Sequence, residues 1–181
     1  MNLKLIISLF TGCVLTATCI TSMISQAKAD DEVRFICASG YDKQTDKRFP
    51  TTYAWTPRGK IAVIRWKYPW FNSQTITPDK RCKDVSSQFQ TAYNKQSLSY
   101  ITNSTVNGQN VICTARQNDG ACDTVLLTLR PEDKPLEILD ELKELVRGRS
   151  TTPIQHSSKQ RPVYYKIDIN KFLQTAPVEK E

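Results

Sequence analysis

The run Ser99-Tyr100-Ile101-Thr102-Asn103-Ser104-Thr105-Val106-Asn107-Gly108-Gln109-Asn110-Val111-Ile112-Cys113-Thr114 sets the architecture of this chain. Asn107-Gly108 lies between two segments rich in β-branched and aromatic residues, Ser99–Thr102 and Asn110–Thr114. Both central residues of a type I′ turn need positive φ, which Asn and Gly tolerate, so the run reads as an antiparallel hairpin. A loop from Arg116 to Ala121 and a further strand, Thr124–Leu129, extend the hairpin into a meander. Upstream, Val33–Cys37 reads as a short strand followed by a polar Asp/Lys loop to Pro50. Thr51–Trp55 and Ile61–Lys67 form a second hairpin around Thr56-Pro57-Arg58-Gly59-Lys60, in which Pro presets the corner and Gly accepts positive φ.

Two helices complete the pattern. Thr77 is placed as an N-cap, with Pro78 at the first helical position and Asp79 at the positive end of the dipole. Cys82, Val85, Phe89, Ala92 and Tyr93 then recur on one face, so Cys82 points at the core. Leu136, Leu139, Leu142, Leu145 and Val146 form the apolar face of the second helix, which Gly148 terminates. After a Ser/Thr-rich connector, Arg149 to Gln160, residues Val163–Ile169 alternate like an edge strand and lead to a charged tail. The expected class is α+β: an antiparallel sheet of about five or six strands, covered by two amphipathic helices around a single core.

The chain has 181 residues, 39% hydrophobic and 24% charged, which excludes collagenous, wholly disordered and multi-span membrane classes. An uncharged stretch from Leu5 to Ala27 follows Lys4, and Ala27-Lys28-Ala29 supplies small residues at a cleavage site. Residues 1–29 therefore read as a secretory signal, residues 30–149 as the domain, and residues 150–181 as the connector, edge strand and tail. The leader is long enough for a retained anchor, but its many Ser and Thr residues weaken that reading. Thr11-Gly12-Cys13 resembles the end of a lipobox, although Phe10 replaces the usual aliphatic residue. Removing Lys4 and Lys28 with the leader lowers the net charge from +7 to +5.

Four cysteines remain in the exported part: Cys37, Cys82, Cys113 and Cys122. An even number in an oxidising compartment reads as two disulfides, with three connectivities open. The core-facing position of Cys82 favours a bond to Cys37, and the short span favours Cys113 with Cys122. Zinc requires closer ligand spacing, and the single histidine, His156, lies in a polar loop. A catalytic thiol lacks a positioned base. No Gly-rich phosphate loop, H-E-x-x-H or G-x-S-x-G occurs, so no metal, cofactor or catalytic residue is expected. Asp30, Asp31 and Glu32 read as a solvated leader rather than a cation site, and Asn103-Ser104-Thr105 fits a glycosylation acceptor.

One constellation has binding chemistry. Trp55, Arg58, Lys60, Arg65, Trp66, Lys67, Tyr68, Trp70 and Phe71 interleave cations with aromatics along the hairpin and its exit. Such a surface suits a glycan or an anionic headgroup; export puts nucleic acid out of reach. The competing reading packs Ile64 and Trp66 in the core, turns Arg65 and Lys67 to water, and closes one end of the sheet with Trp70-Phe71.

R-F-I-C near the start, P-T-T-x-A-x-T-P-R-G (Pro50–Gly59), V-I-R-W (Val63–Trp66), R-C-x-x-V-S-x-x-F-Q (Arg81–Gln90) and N-G-Q-x-V-I-C (Asn107–Cys113), ending in the strand after Cys122, together resemble the cyanobacterial circadian oscillating protein family. The resemblance covers roughly Arg34 to Arg149. It implies a small exported domain in the periplasm or a lumen, peripheral to a membrane, whose abundance follows the daily cycle. It brings no catalytic residues with it. The expected function is a non-enzymatic module that docks on an anionic membrane surface or a membrane protein complex through Trp55, Arg58, Lys60, Arg65, Lys67 and Trp70. The contrasting class is an exported hydrolase or carbohydrate-binding or carbohydrate-active protein.

Overall fold

The computed structural model describes residues 32–67, 76–147 and 162–179. The leader with Cys13, the aromatic segment with Tyr68, Trp70 and Phe71, and the connector with Gly148 and His156 lie outside the described residues. Strand β1 (Arg34–Asp42) turns into β2 (Lys47–Thr56), and β2 turns into β3 (Gly59–Arg65). Helix α1 (Pro78–Asn94) separates these from β4 (Tyr100–Val106), β5 (Gln109–Ala115) and β6 (Val125–Thr128). Helix α2 (Pro135–Arg147), β7 (Tyr164–Lys166) and α3 (Ile169–Thr175) follow.

The class is α+β, with the strands divided between two antiparallel sheets instead of one, ordered β1-β2-β3 and β6-β5-β4-β7. In the second sheet β7 takes the outer edge of β4, through Tyr100–Lys166, Ile101–Tyr165 and Thr102–Tyr164. The Asn107-Gly108 hairpin forms as its residues dictate, with φ of +50° and +74°. Strands β1 and β2 run further than the apolar pattern shows. Their distal halves hold Tyr41, Asp42, Lys47 and Arg48, paired through backbone bonds that polar side chains do not prevent. Asp42 closes that hairpin, its Oδ1 accepting from the Gln44 N–H at 2.9 Å and the Thr45 N–H at 3.3 Å.

Thr77 caps α1, its hydroxyl accepting from the Lys80 N–H at 3.2 Å, and the expected face is buried at Cys82, Val85, Phe89 and Ala92. Phe35, Ala54 and Ile61 from the first sheet meet Ile101, Ile112 and Leu126 from the second in one cluster, together with residues of all three helices. The segment beyond the connector belongs to this core: Ile167, Phe172, Leu173 and Ala176 are buried in it. A third helix thus follows the edge strand where no helix was expected, and it takes in Ile169, the last residue of the expected strand. Its signal, Ile169, Phe172 and Leu173 after the N-cap Asp168, spans only two turns.

Disulfides join Cys37 of β1 to Cys82 of α1 and Cys113 of β5 to Cys122 before β6, with Cα separations of 5.4 and 5.6 Å. The first ties α1 to one sheet; the second shortens the loop that delivers β6. Among the described residues, every buried side-chain polar atom has a partner.

Candidate functional site

The alternation of β2 puts Ala54 in the core and Trp55 on the opposite, outer face of the first sheet. Cross-strand register sets Arg34 on one side of Trp55 and Lys60 on the other. The indole is 39% exposed, with the Arg34 guanidinium 5.8 Å and the Lys60 ammonium 5.3 Å from ring centroids. This row combines an apolar plate with flanking cations. Arg34 was not singled out in the sequence, although the strand alternation that exposes Trp55 also exposes its cross-strand neighbour.

The other cations expected on this surface hold the protein together. Arg58 reaches the end of α3, where Nη1 donates to the carbonyls of Leu173 at 3.0 Å and Ala176 at 3.3 Å, and Nη2 to Ala176 at 3.2 Å. It satisfies carbonyls that a helix terminus leaves open. Arg65 pairs with Glu179 at 2.6 Å and donates to the Thr51 hydroxyl at 3.3 Å. Lys67 pairs with the buried Asp42. Hydrogen bonding from Lys67 holds the Asp42 carboxyl below the usual carboxylate range, against the effect of burial, with the Gln44 and Thr45 amides adding to it. Trp66 is in the core as the competing reading required, at 6% exposure, whereas Arg65 and Lys67 are ion-paired and half-buried rather than simply wet. Trp70 lies outside the described residues.

A cleft of about 470 Å³ separates β3 from β6 and α2, bounded by Trp66, Arg81, Leu127, Ile138, Glu141 and Leu142. Arg81 lies over Trp66 at 4.5 Å from the ring centroid and donates to the Thr128 carbonyl at 3.1 Å. Burial pushes its guanidinium down to about 10; Asp133 opposes that shift and Arg130 adds to it. Asp133, also on this cleft, is raised by burial but carried below its ordinary value by bonds from the Arg130 side chain and amide. Glu141, at the exposed rim, is raised by burial and by Glu137. The glycosylation-like Asn103 is buried, and its side-chain oxygen accepts from the Val163 N–H at 2.9 Å.

Among the described residues no cluster of three or more His, Cys, Asp or Glu is placed to hold a metal. No described helix is long and apolar enough to cross a membrane. Fold and surface together define a small disulfide-tied α+β domain with a basic, aromatic outer face. The family model for circadian oscillating protein COP23 matches residues 34–174, and the chain belongs to that family. The match runs past Arg149 into α3, in agreement with the packing of that helix on the core. No curated protein and no solved structure matches the chain.

Proposed function

We propose that the chain is an exported, non-enzymatic domain of the periplasm or a lumen that lies peripherally on an anionic membrane surface, or on a membrane complex presenting one. Its family membership supports an abundance that follows the daily cycle. The observation that carries the docking is the row Arg34–Trp55–Lys60, an exposed indole between two cations on the outer face of the first sheet. Indoles favour the headgroup level of a bilayer, and each basic residue near an anionic leaflet adds ~1 kcal/mol, screened by salt. Two disulfides and the leader-like N-terminus support export. Flotation with phosphatidylglycerol vesicles tests the reading. Binding is expected to fall with salt and with W55A or K60A, while R58A acts on stability; binding indifferent to salt and to both surface substitutions would reject it.

A second reading, an exported hydrolase or carbohydrate-active protein, has one specific location. Glu141 and Asp133 border the same cleft with their carboxyls shifted in opposite directions, an arrangement that separates an acid from an ionised partner. Asp133 is engaged by Arg130, which weakens it as a base. Turnover of a glycan or ester substrate that E141Q abolishes would establish this reading; turnover unchanged by E141Q would remove it.

A further inference from the structure

A segment of the same chain lies against the outer side of the first sheet. Beyond α3 the backbone becomes extended at Ala176, and the Glu179 N–H donates to the Lys60 carbonyl at 2.7 Å, the bond an added strand would make to the edge of β3. The Glu179 side chain then enters a cleft of about 630 Å³ bordered by Ser39, Tyr41, Lys43, Arg48, Tyr53 and Lys60. Its Oε2 accepts from Arg65 at 2.6 Å and its Oε1 from the Tyr41 N–H at 3.1 Å. Tyr53 is 2% exposed and borders the same cleft, and burial, with the Glu179 carboxylate adding to it, raises its hydroxyl above the ordinary tyrosine value. Glu179 is the one acid among the described residues bordering this cleft, and Lys43 and Arg48 border it too.

We propose that this cleft is a recognition site for an extended acidic peptide, and that residues 176–179 occupy it in cis. The recognition chemistry is that of the occupant. A backbone N–H pairs with the Lys60 carbonyl, one carboxylate takes Arg65 and the Tyr41 amide beside Tyr53, and Lys43 and Arg48 attract further acids. A partner presenting such a segment would have to displace Glu179, so access is set by competition within the chain. The site shares Lys60 with the proposed membrane row, which uses the Lys60 ammonium where this site uses the Lys60 carbonyl, and it differs from that row in using Arg65 in place of Arg34 and Trp55.

The test uses a fluorescein-labelled peptide with the sequence of residues 176–181, Ala-Pro-Val-Glu-Lys-Glu, titrated by anisotropy into the mature chain and into the chain ended after Ala176. The shortened chain is expected to bind saturably and roughly tenfold or more tighter than the intact one, because a tethered occupant competes at millimolar effective concentration. R65Q in the shortened chain, or Glu179→Gln in the peptide, should abolish that gain. E179Q in the full-length chain keeps the Lys60 backbone bond and should open the site in part, which preserves the measurement if shortening disturbs folding. Equal binding by intact and shortened chains, or no saturable binding by a folded E179Q variant, overturns the proposal. Inorganic phosphate at the concentration of the labelled peptide should leave the peptide bound; full displacement would make the cleft a general anion site and overturn the peptide assignment.

Discussion

The indole N–H of Trp66 donates to the Thr52 hydroxyl oxygen at 3.1 Å, with both side chains buried. The Ser86 hydroxyl donates to the same oxygen at 3.2 Å, and Thr52 itself donates to the Cys82 carbonyl at 3.5 Å. One hydroxyl thereby links β2, the exit of β3 and α1, beside the disulfide at Cys82.

T52V keeps the shape and removes the acceptor. It leaves the indole N–H and the Ser86 hydroxyl without their buried partner, at an expected cost of about 1–3 kcal/mol. Denaturant unfolding of T52V, W66F and the double variant measures this. The double variant should be less destabilised than the sum of the two singles, because the pair shares one bond.

The two disulfides should contribute unequally. In the loop-entropy picture the Cys37–Cys82 bond, with a sequence separation of 45, is worth ~4 kcal/mol, and the Cys113–Cys122 bond, with a separation of 9, ~2.7 kcal/mol. Paired serine substitutions compared by chemical denaturation check the order. Thiol titration of the mature native chain should find none of the four cysteines free, and recovery of all four would contradict the fold as well as the export.

Acid should destabilise the domain. The carboxyls of Asp42, Asp123 and Asp133 are held below their ordinary values: Asp42 and Asp123 chiefly by bonds from Lys67 and Arg116, and Asp133 by Arg130 acting against burial. The folded state binds these protons less readily than the unfolded chain. Their contribution is therefore complete above the ordinary carboxylate value of about 4 and is lost as the pH falls through and below it. Glu141 has the opposite sign, since a raised carboxyl costs stability once ionised. E141Q should raise Tm at neutral pH with no gain in acid, and D42N should lower Tm at neutral pH and flatten the acid limb.

Arg58 and Trp55 should separate cleanly. R58A removes the bonds to the end of α3 and should cost about 1.5 kcal/mol, at the low end for charged donors because Arg58 is exposed. Amide exchange in α3 should rise with it. W55A should change stability by less than about 0.5 kcal/mol, as for a surface residue, while reducing vesicle binding.

Features fixed by neighbouring residues were legible in the sequence. The Asn107-Gly108 turn, the Thr77 cap, the buried face of α1 and the core position of Trp66 each follow from spacing and side-chain chemistry over a few residues. What depended on distant partners was not. The outer halves of β1 and β2 carry no apolar alternation, and Pro50, which ended the expected loop, sits in the central strand with its carbonyl accepting from the Trp66 N–H. The partner of β4 on its outer edge, β7, is three residues long and lies more than sixty positions away in the sequence, too short and too distant for a local pattern to reveal the pairing. The basic cluster was visible as composition, but its partners were hidden: Glu179 lies 114 positions from Arg65, and the carbonyl of Ala176 lies 118 from Arg58. No local pattern distinguishes an arginine that binds a foreign anion from one that binds its own chain.

Residues 176–179 follow every other described residue, yet they bind the first hairpins to be synthesised. A chain emerging vectorially, from ribosome or translocon, presents β1 to β3 long before the segment that clasps them exists. Closure of the outer face therefore waits until residues 176–179 have emerged, and a chain halted immediately after Ala176 would stay at the stage just before it.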